Sequence, residues 1–260
     1  MHAYVINLDS ASHRWAFMQE AFSGTRLNLS RVPAVDGSQL LFPNSGYAEE
    51  RYRRCHGRTT NPREIGCYLS HIKAMESFLA SGESHGLICE DDLVPDRAFE
   101  PVLEAALGYA RNWNILRLTG LGIGKPLPVV RLHPSFSLCV NMARMKGAGM
   151  YLVDRAAATA FVASLLPMWL PYDHAFDREW RFGLKAACVI PFPVSQCESG
   201  LRSSIQGQSG RKLPRANRFA TTYPYQVCNE LSRWVLRSGQ FLAFKRRVRE
   251  ESGQARRSSS

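Results

Sequence analysis

The residues best suited to chemistry in this chain are three consecutive acids, Glu90, Asp91 and Asp92. They follow a short apolar run, residues 87–89, which is too brief for a helix and predicts a buried strand; Pro95 then opposes continuation of the strand ladder. Three carboxylates at one strand end repel each other, and a hard divalent cation with bound phosphates would offset that repulsion. A solvated turn, in which Asp is common, is the alternative for this segment taken alone.

A second acidic cluster lies later in the chain. Asp173, His174 and Asp177 follow Pro171 at the start of a short aromatic-rich segment that predicts a helix. The alternative to a chemical role is capping of the helix by Asp173, with its charge complementing the helix dipole.

The first strand and helix predict where such acids lie in the fold. Residues 4–6 predict a strand that ends at Asn7 and Asp9, and a helix capped by Ser10 or Ser12 follows. This is the opening of an α/β fold, in which ligands lie beyond the carboxyl ends of the strands. Asn7 and Asp9 are therefore candidate nucleotide contacts, with simple turn formation as the alternative.

The strongest helix signal begins at Asn61, followed by Pro62 and Glu64, which is the pattern of a capped helix start. We expect His71 in this helix to be structural, because the neighbouring side chain of Ser70 diverges from it by about 100° and cannot form a nucleophile pair with it. Residues 42–61 predict a long loop. Further strands are predicted at 27–32, 113–118, 135–140, 147–153 and 186–194, and further helices from residue 95 or 96 and over 155–166.

The positive charge of the chain is concentrated at its end. The formal net charge is +11, and residues 202–260 hold 13 Lys/Arg against 3 Asp/Glu. We expect a mobile basic segment from about residue 198. Over 227–249 we expect a basic amphipathic helix, or two broken at Gly239, and over 252–260 disorder. Such a tail suits an anionic membrane surface, nucleic acid or an acidic substrate, with packing on the domain as the structural alternative.

Cysteine usage and hydropathy indicate the compartment. The seven cysteines form no CxxC pair, so neither a zinc site nor a disulfide framework is expected. The sequence has no pattern of a signal peptide or of a transmembrane helix. We expect a cytoplasmic protein, peripheral on the cytoplasmic face of the inner membrane if the basic tail binds there.

Six short segments occur together in one order and carry a family resemblance. The segments are Ile6-Asn7-Leu8-Asp9 with Arg14, Ala34-Val35-Asp36-Gly37, the block from Glu64 to His71, Glu90-Asp91-Asp92, Gly147-Ala148-Gly149-Met150-Tyr151 and Pro171-Tyr172-Asp173. Over roughly residues 3–205 the chain resembles glycosyltransferase family 25, the family of lipopolysaccharide-biosynthesis galactosyltransferases and collagen galactosyltransferase domains.

The resemblance implies a GT-A-like, single Rossmann-type α/β domain over residues 1–205, with a mixed central sheet flanked by helices. The basic helical tail, 206–260, lies outside it. It also implies transfer of a hexose, galactose being the family's common sugar, from a UDP-sugar to a lipopolysaccharide, lipooligosaccharide or other cell-envelope glycan, assisted by Mn²⁺ or Mg²⁺.

The resemblance assigns roles to individual residues. It makes Asp92 a direct metal ligand, Glu90 a ribose or metal contact, and Asp173 the candidate base, with Asp177 able to take that part. The nucleotide pocket would be lined by Asn7, Asp9, Arg14, Ala34, Asp36 and Asp91.

Three other functions stay open at this point. A nucleic-acid-binding protein would explain the basic tail, but the body has no recognised nucleic-acid motif, so no such partner is expected. A pair of carboxylates also serves glycoside hydrolysis, which needs no metal. An inactive transferase homologue is the third.

Overall fold

A mixed eight-stranded β-sheet forms the centre of the molecule in the computed structural model, which describes residues 1–197 and 210–258. The strands in this part of the chain are β1 (His2–Asn7), β2 (Asn28–Pro33), β3 (His85–Cys89), β4 (Leu93–Pro95), β5 (Ile115–Arg117), β6 (Pro126–His133), β7 (Phe136–Asn141), β8 (Met150–Asp154), β9 (Ala186–Ile190) and β10 (Val194–Gln196). The sheet order is β2-β1-β3-β8-β5-β9-β7-β6, and β4 pairs with β10 in a separate ribbon. Strands β1, β2 and β3 run parallel, so their carboxyl ends meet at one edge.

Helices cover both faces of this sheet. They are α1 (Ser12–Ala21), α2 (Glu49–His56), α3 (Pro62–Ser81), α4 (Phe99–Leu107), α5 (Arg155–Ser164), α6 (Tyr172–Phe176), α7 (Arg215–Ala220) and α8 (Thr222–Ser258), with 3₁₀ turns at Gly37–Gln39, Ala110–Asn112 and Glu179–Phe182. Side chains alternate between the faces of each strand: on β8, Tyr151 and Val153 join the core beneath α3, α5 and α6, whereas Met150 and Leu152 join the core beneath α1, α4 and α8. The predicted α/β class, with a mixed central sheet flanked by helices and a C-terminal helix, is confirmed.

The start of α3 forms as predicted. The Asn61 side chain caps the helix by accepting a hydrogen bond from the Arg63 backbone N–H at 3.1 Å, and Pro62 occupies the first turn. Gly82 ends the helix with φ +78°, a conformation that glycine adopts without strain. One side of this helix lines the cavity described below.

The predicted loop over 42–61 is wrong, because it contains α2. This helix buries only Tyr52, so it has no apolar period to reveal it. It is favoured instead by acids in its first turn and basic residues in its last, which complement the helix dipole, and by Gly57 at its end. Pro95 is the last paired residue of the edge strand β4, and the ladder goes no further, as expected for a residue that lacks an N–H.

The C-terminal helix is continuous through Gly239, which is the first of the two predicted alternatives. It differs from the prediction at its end, because it extends to Ser258 where we expected disorder from residue 252. Arg233, Arg237 and Phe244 on one face are buried in the domain, and this packing offsets the roughly 1 kcal/mol cost of a helical glycine. Two of the tail's basic groups are therefore interior. The expected mobile segment falls largely on residues 198–209, which lie outside the described residues.

Candidate functional site

The carboxyl ends of β1, β2 and β3 converge on a cavity of about 300 Å³. Segments after all three strands contribute to its wall, as expected for ligand sites in α/β sheets. One face of α3 closes the opposite side. The wall is formed by Ile6, Leu8, Ser10, Arg14, Ala34, Val35, Asp36, Gly37, Ser38, Arg63, Cys67, Ser70, His71, Glu90, Asp91 and Asp92.

One guanidinium is shared by two of the three consecutive acids. Arg14 Nη2 lies 2.9 Å from Asp91 Oδ1 and 3.0 Å from Asp92 Oδ2. The second oxygen of Asp91 accepts a hydrogen bond from the Asn7 side chain at 2.7 Å, whereas Asp92 Oδ1 is buried without a hydrogen-bond partner among the described residues. Asp92 is thus only half satisfied.

Burial and negative neighbours both disfavour the charge on Asp92. Burial raises its pKa to about 7, the nearby Glu90 adds to the shift, and Arg14 opposes it. Burial also raises the pKa of Asp91, although Arg14 and Asn7 act against that shift. The cluster carries more negative charge than its single arginine neutralises.

The donor set fits a hard cation. Asp92 Oδ1 is a buried, unpartnered carboxylate oxygen, and Glu90 brings a second carboxylate to the same cavity. Hard divalent cations such as Mg²⁺ and Mn²⁺ bind to carboxylate oxygens and keep further positions for water or phosphate. Asp92 and Glu90 would hold such an ion, as the sequence predicts.

Glu90 is held at the end of β3 by two neighbours. Its backbone N–H donates to Gly149 O at 2.7 Å, and Gln196 Nε2 donates to its Oε2 at 3.4 Å. Its other oxygen, Oε1, lies 3.7 Å from His71 Nε2. The carboxylate is therefore oriented toward the α3 wall.

The polar face of α3 is the part of the site that the sequence prediction missed. Arg63, Cys67, Ser70 and His71 all line the cavity. Their spacing of four, seven and eight residues places them on one side of a helix, next to its apolar face. That spacing was the signal in the sequence from which this part of the cavity wall could have been predicted.

Two glycines allow α3 to approach the loop after β2 closely. A Cβ on Gly66 would lie 2.6 Å from both Val35 O and Gly37 N, and one on Gly37 would lie 2.1 Å from Pro62 O. Ser70 Oγ links the two elements further, because it accepts from Val35 N at 2.8 Å and donates to Gly66 O at 2.6 Å. The cavity wall depends on this contact.

Asp36 and Ala34 lie in the wall, as the resemblance implies. The Asp36 carboxylate accepts from the Ser38 hydroxyl at 2.6 Å and the Ser38 backbone N–H at 2.9 Å, and these bonds lower its pKa. Asp36 therefore enters the cavity as a charged, fixed acceptor.

Asn7 and Asp9 lie outside the cavity wall. Asn7 is buried behind the acids, where it donates to Asp91 and accepts from Arg31 Nε at 2.8 Å. The exposed Asp9 pairs with Arg31 at 2.6 Å. In this geometry Asn7 orients the Asp91 side chain and does not contact a ligand in the cavity directly.

Asp173 is not among the described residues that line the cavity. It does not cap α6; its Oδ2 instead accepts from Gly147 N at 3.1 Å. Its charge nevertheless reaches the cavity wall. Burial and then the charges of Glu90, Asp173 and Glu64 raise the pKa of Cys67 well above its ordinary value. Glu64, a further acid beside the wall, accepts from the Tyr52 hydroxyl at 2.5 Å.

Asp177 is enclosed in a buried network of arginines. It lies 3.0 Å from Arg117, 2.9 Å from Arg237 and 3.1 Å from Arg233, the last without hydrogen-bond geometry. Burial alone would raise its pKa, but Arg237, Arg117 and Arg233 together lower it. A carboxylate held in this way is a poor base, and the space beside it in the described part of the chain is only about 10 Å³. This geometry disfavours the alternative of Asp177 as the base.

A larger groove of about 750 Å³ lies between α2 and the α7–α8 junction. Arg51 and Arg54 line it. Arg51 stacks on Trp169 at 3.8 Å, and Arg54 pairs with Glu50 at 3.8 Å, so both have partners on the protein. The strand-end cavity is the better candidate for the functional site, because it contains the acidic groups that the protein does not neutralise.

The sequence and fold were compared with known proteins. Residues 1–125 match the family model for glycosyltransferase family 25 (LPS biosynthesis protein). Over 127 residues the chain is 33% identical to a glycosyltransferase 25 family member of Anopheles gambiae, a match over 44% of this chain and 21% of that protein. It is 29% identical over 130 residues to a probable inactive glycosyltransferase 25 family member 3 of Rattus norvegicus, over 44% of this chain and 22% of that protein.

These matches confirm the family resemblance over the part of the chain that builds the strand-end cavity. The chain spans about a fifth of the length of these curated relatives. Among solved structures, the protein A197 from STIV gives a TM-score of 0.38 at 8% identity, over 72% of this chain and 80% of that chain. A likeness of that size assigns neither fold nor function.

Proposed function

We propose that this chain, whose residues 1–125 belong to glycosyltransferase family 25, transfers a hexose from a nucleotide sugar to a glycan. The observation that carries the proposal is the buried Asp92 carboxylate, which faces the strand-end cavity with one oxygen unpaired. A divalent cation held by this carboxylate would offset the excess negative charge of the cluster and stabilise a departing diphosphate.

The cavity residues divide the binding of the donor between them. Asp36 and the backbone after β2 face the part of the cavity where a nucleoside would lie, with Asp36 as an acceptor for ribose hydroxyls. Arg14 and Arg63 bring positive charge to the diphosphate. Asn7 and Arg14 hold Asp91 and Asp92 in fixed orientations, so little reorganisation is needed when the donor binds.

A Mn²⁺ or Mg²⁺ ion held by Asp92 and Glu90 would supply Lewis-acid stabilisation of the departing diphosphate. The chain's own groups must then deprotonate the acceptor hydroxyl as it attacks. Asp173 is our candidate base, fixed by its bond to Gly147 N at 3.1 Å. Since the charge of Asp173 acts on Cys67 in the cavity wall, we infer that the acceptor binds on the α6 side of the cavity.

The finer assignments rest on the family. We propose UDP-galactose as the donor and a lipopolysaccharide, lipooligosaccharide or other cell-envelope glycan as the acceptor. A cytoplasmic location at an anionic membrane surface is supported by the outer side of α8, which exposes Leu231, Trp234, Val235, Leu242 and Arg246. None of the helices in the described residues is long and apolar enough to cross a membrane.

The membrane proposal is tested without disturbing the buried side of α8. Leu231→Asp with Val235→Asp should abolish flotation with anionic vesicles and leave the thermal unfolding temperature unchanged. Equal flotation of the double variant and the parent protein would refute the membrane role.

The donor proposal is tested by thermal stability with UDP-galactose, UDP-glucose and UDP-N-acetylglucosamine, each with and without Mn²⁺. A ligand that binds only the folded state raises stability, by about 2.7 kcal/mol at a hundred times its Kd. We expect one UDP-sugar to stabilise the protein in a manner that requires Mn²⁺. The absence of any shift with all three sugars would contradict the proposal.

An inactive transferase homologue is the second candidate. Arg14 already pairs with both Asp91 and Asp92, so it partly replaces the charge of a cation, and one similar protein is described as probably inactive. Arg14→Gln separates the two candidates. If Arg14 substitutes for the ion, the variant should gain cation-dependent stabilisation by the UDP-sugar that the parent protein lacks.

A further inference from the structure

Three metal-binding side chains of different chemistry meet at the α3 wall of the cavity. Cys67 and His71 are one helical turn apart, so they project to the same side of α3, and Glu90 reaches them from the end of β3. The thiol sulfur, an imidazole nitrogen and a carboxylate oxygen all lie within 4.8 Å of one another. Asp92 is not part of this group, and its oxygen donors suit a different kind of ion.

The distance between His71 and Glu90 is close to the separation of two ligands on one ion. His71 Nε2 lies 3.7 Å from Glu90 Oε1, which is too long for a hydrogen bond. Two ligands about 2.0–2.1 Å from Zn²⁺ and at a tetrahedral angle are separated by roughly 3.3 Å. A shift of a few tenths of an ångström in the partly exposed Glu90 side chain closes that difference.

His71 is oriented from behind in the way that metal-binding histidines usually are. Its Nδ1 lies 3.0 Å from the Tyr151 hydroxyl, which in turn lies 2.7 Å from the Tyr172 hydroxyl. The imidazole stacks on the Tyr172 ring at 3.9 Å and 2°. These contacts fix the ring so that Nε2 faces Glu90, whose other oxygen is held by Gln196.

We propose that Cys67, His71 and Glu90 form a binding site for a borderline divalent transition metal such as Zn²⁺. Sulfur and nitrogen donors select such a metal over Mg²⁺, and three protein ligands leave a fourth position directed into the cavity. The proposal goes beyond the proposed transferase function, because binding needs neither a nucleotide sugar nor an acceptor. Zinc at this site would withdraw Glu90 from the hard cation at Asp92.

The test is a Co²⁺ titration of the full chain, without nucleotide sugar, followed by absorption spectroscopy. We expect a near-ultraviolet thiolate-to-cobalt charge-transfer band together with the visible bands of a four-coordinate ion, and their loss when Zn²⁺ is added. Cys67→Ser should remove the charge-transfer band, and His71→Asn should weaken Co²⁺ binding more than about 100-fold. Tyr151→Phe removes only the hydroxyl behind His71 and should weaken binding about 10-fold.

The other cysteines supply the controls. Cys228→Ser, on the exposed side of α8, and Cys55→Ser, on α2, should keep the full spectrum. The Co²⁺ spectrum of the parent protein tests the proposal even if a variant fails to fold. If that spectrum has no charge-transfer band, the proposal is overturned. A band that survives in folded Cys67→Ser overturns it as well, since the thiolate would then come from elsewhere.

Discussion

Asp92 and Asp177 are both buried aspartates paired with arginine, yet their environments act on them in opposite directions. Asp92 shares a single guanidinium with Asp91, and its pKa is raised to about 7, chiefly by burial. Asp177 has three arginines around it, and its pKa is lowered despite complete burial. The acids around Asp92 have too little positive charge beside them, whereas the arginines around Asp177 are balanced, because Glu179 and Glu230 pair with Arg237 and Arg233 as well.

Burial alone therefore does not identify a functional carboxylate, whereas the local charge balance does. The space beside Asp177 is only about 10 Å³, about enough for one water molecule. Asp92 faces about 300 Å³. The Asp177 cluster is complete within the protein; the Asp92 cluster is completed by something that the cavity admits.

The largest effect is expected at the self-contained cluster. Asp177→Asn leaves Arg117, Arg233 and Arg237 buried with less opposing charge, and breaking a buried ion pair in this way costs about 3–5 kcal/mol. We expect a loss of that size in the free energy of unfolding, measured by urea denaturation. The same substitution at the exposed Asp9, which pairs with Arg31, should cost less than about 1 kcal/mol.

The same cluster predicts how acid acts on the protein. Because the pKa of Asp177 is lower in the folded state, its contribution is present above the ordinary value of 3.8 and is lost as the pH falls below it. If Asp177→Asn unfolds at the same urea concentration as the parent protein, the contrast between the two aspartates fails.

The two clusters are also positioned by different forces. Ion pairs hold the Asp177 cluster, whereas the cavity wall depends on the close approach of Gly66 to the loop after β2. Gly66→Ala places a methyl group 2.6 Å from Val35 O, and overpacking of this kind costs about 1–3 kcal/mol. We also expect loss of the stabilisation by a UDP-sugar, because the loop that carries Asp36 must move.

Gly239 provides the matched control for that prediction. It too lies inside a helix, but a Cβ there would meet nothing within 4 Å. Gly239→Ala should therefore raise the free energy of unfolding by about 0.5–1 kcal/mol, since alanine is the better helix former. Equal effects of the two substitutions would show that the contact between α3 and the loop does not shape the cavity.

The sequence predicted the features of the two clusters and of the cavity wall that depend on neighbouring residues. The start of α3 could be read from Asn61 and Pro62, and the position of Glu90-Asp91-Asp92 from the apolar run before it, because caps and short strands are encoded by neighbouring residues. The segments that carry the family resemblance then acquire physical roles. Gly66 admits the loop after β2, and Gly149 O fixes the Glu90 backbone.

What the sequence did not predict depends on tertiary pairing. Arg14 meets the acids from α1, and the arginines around Asp177 come from positions about 60 residues away on either side. Those on α8 were assigned to a basic amphipathic helix that suits an anionic partner, with packing on the domain as the alternative, because an arginine in such a helix has no local mark of burial. The helix α2 was missed for a related reason, since only one of its side chains enters the core.

The smallest expected change in the free energy of unfolding is an increase, at Asp92, and it best separates a binding carboxylate from a structural one. Asp92→Asn removes a charge that burial and Glu90 disfavour, while Arg14 keeps its bond to Asp91. Above neutral pH we expect the free energy of unfolding of the metal-free protein to rise by about 1 kcal/mol, because a raised carboxyl pKa means that ionisation is unfavourable in the folded state. Stabilisation by Mn²⁺ with a UDP-sugar should be lost in the same variant. If the variant is more stable without ligand but no longer binds the ligand, Asp92 is a binding-site residue. A loss of stability would instead show that Asp92, like Asp177, is a structural carboxylate.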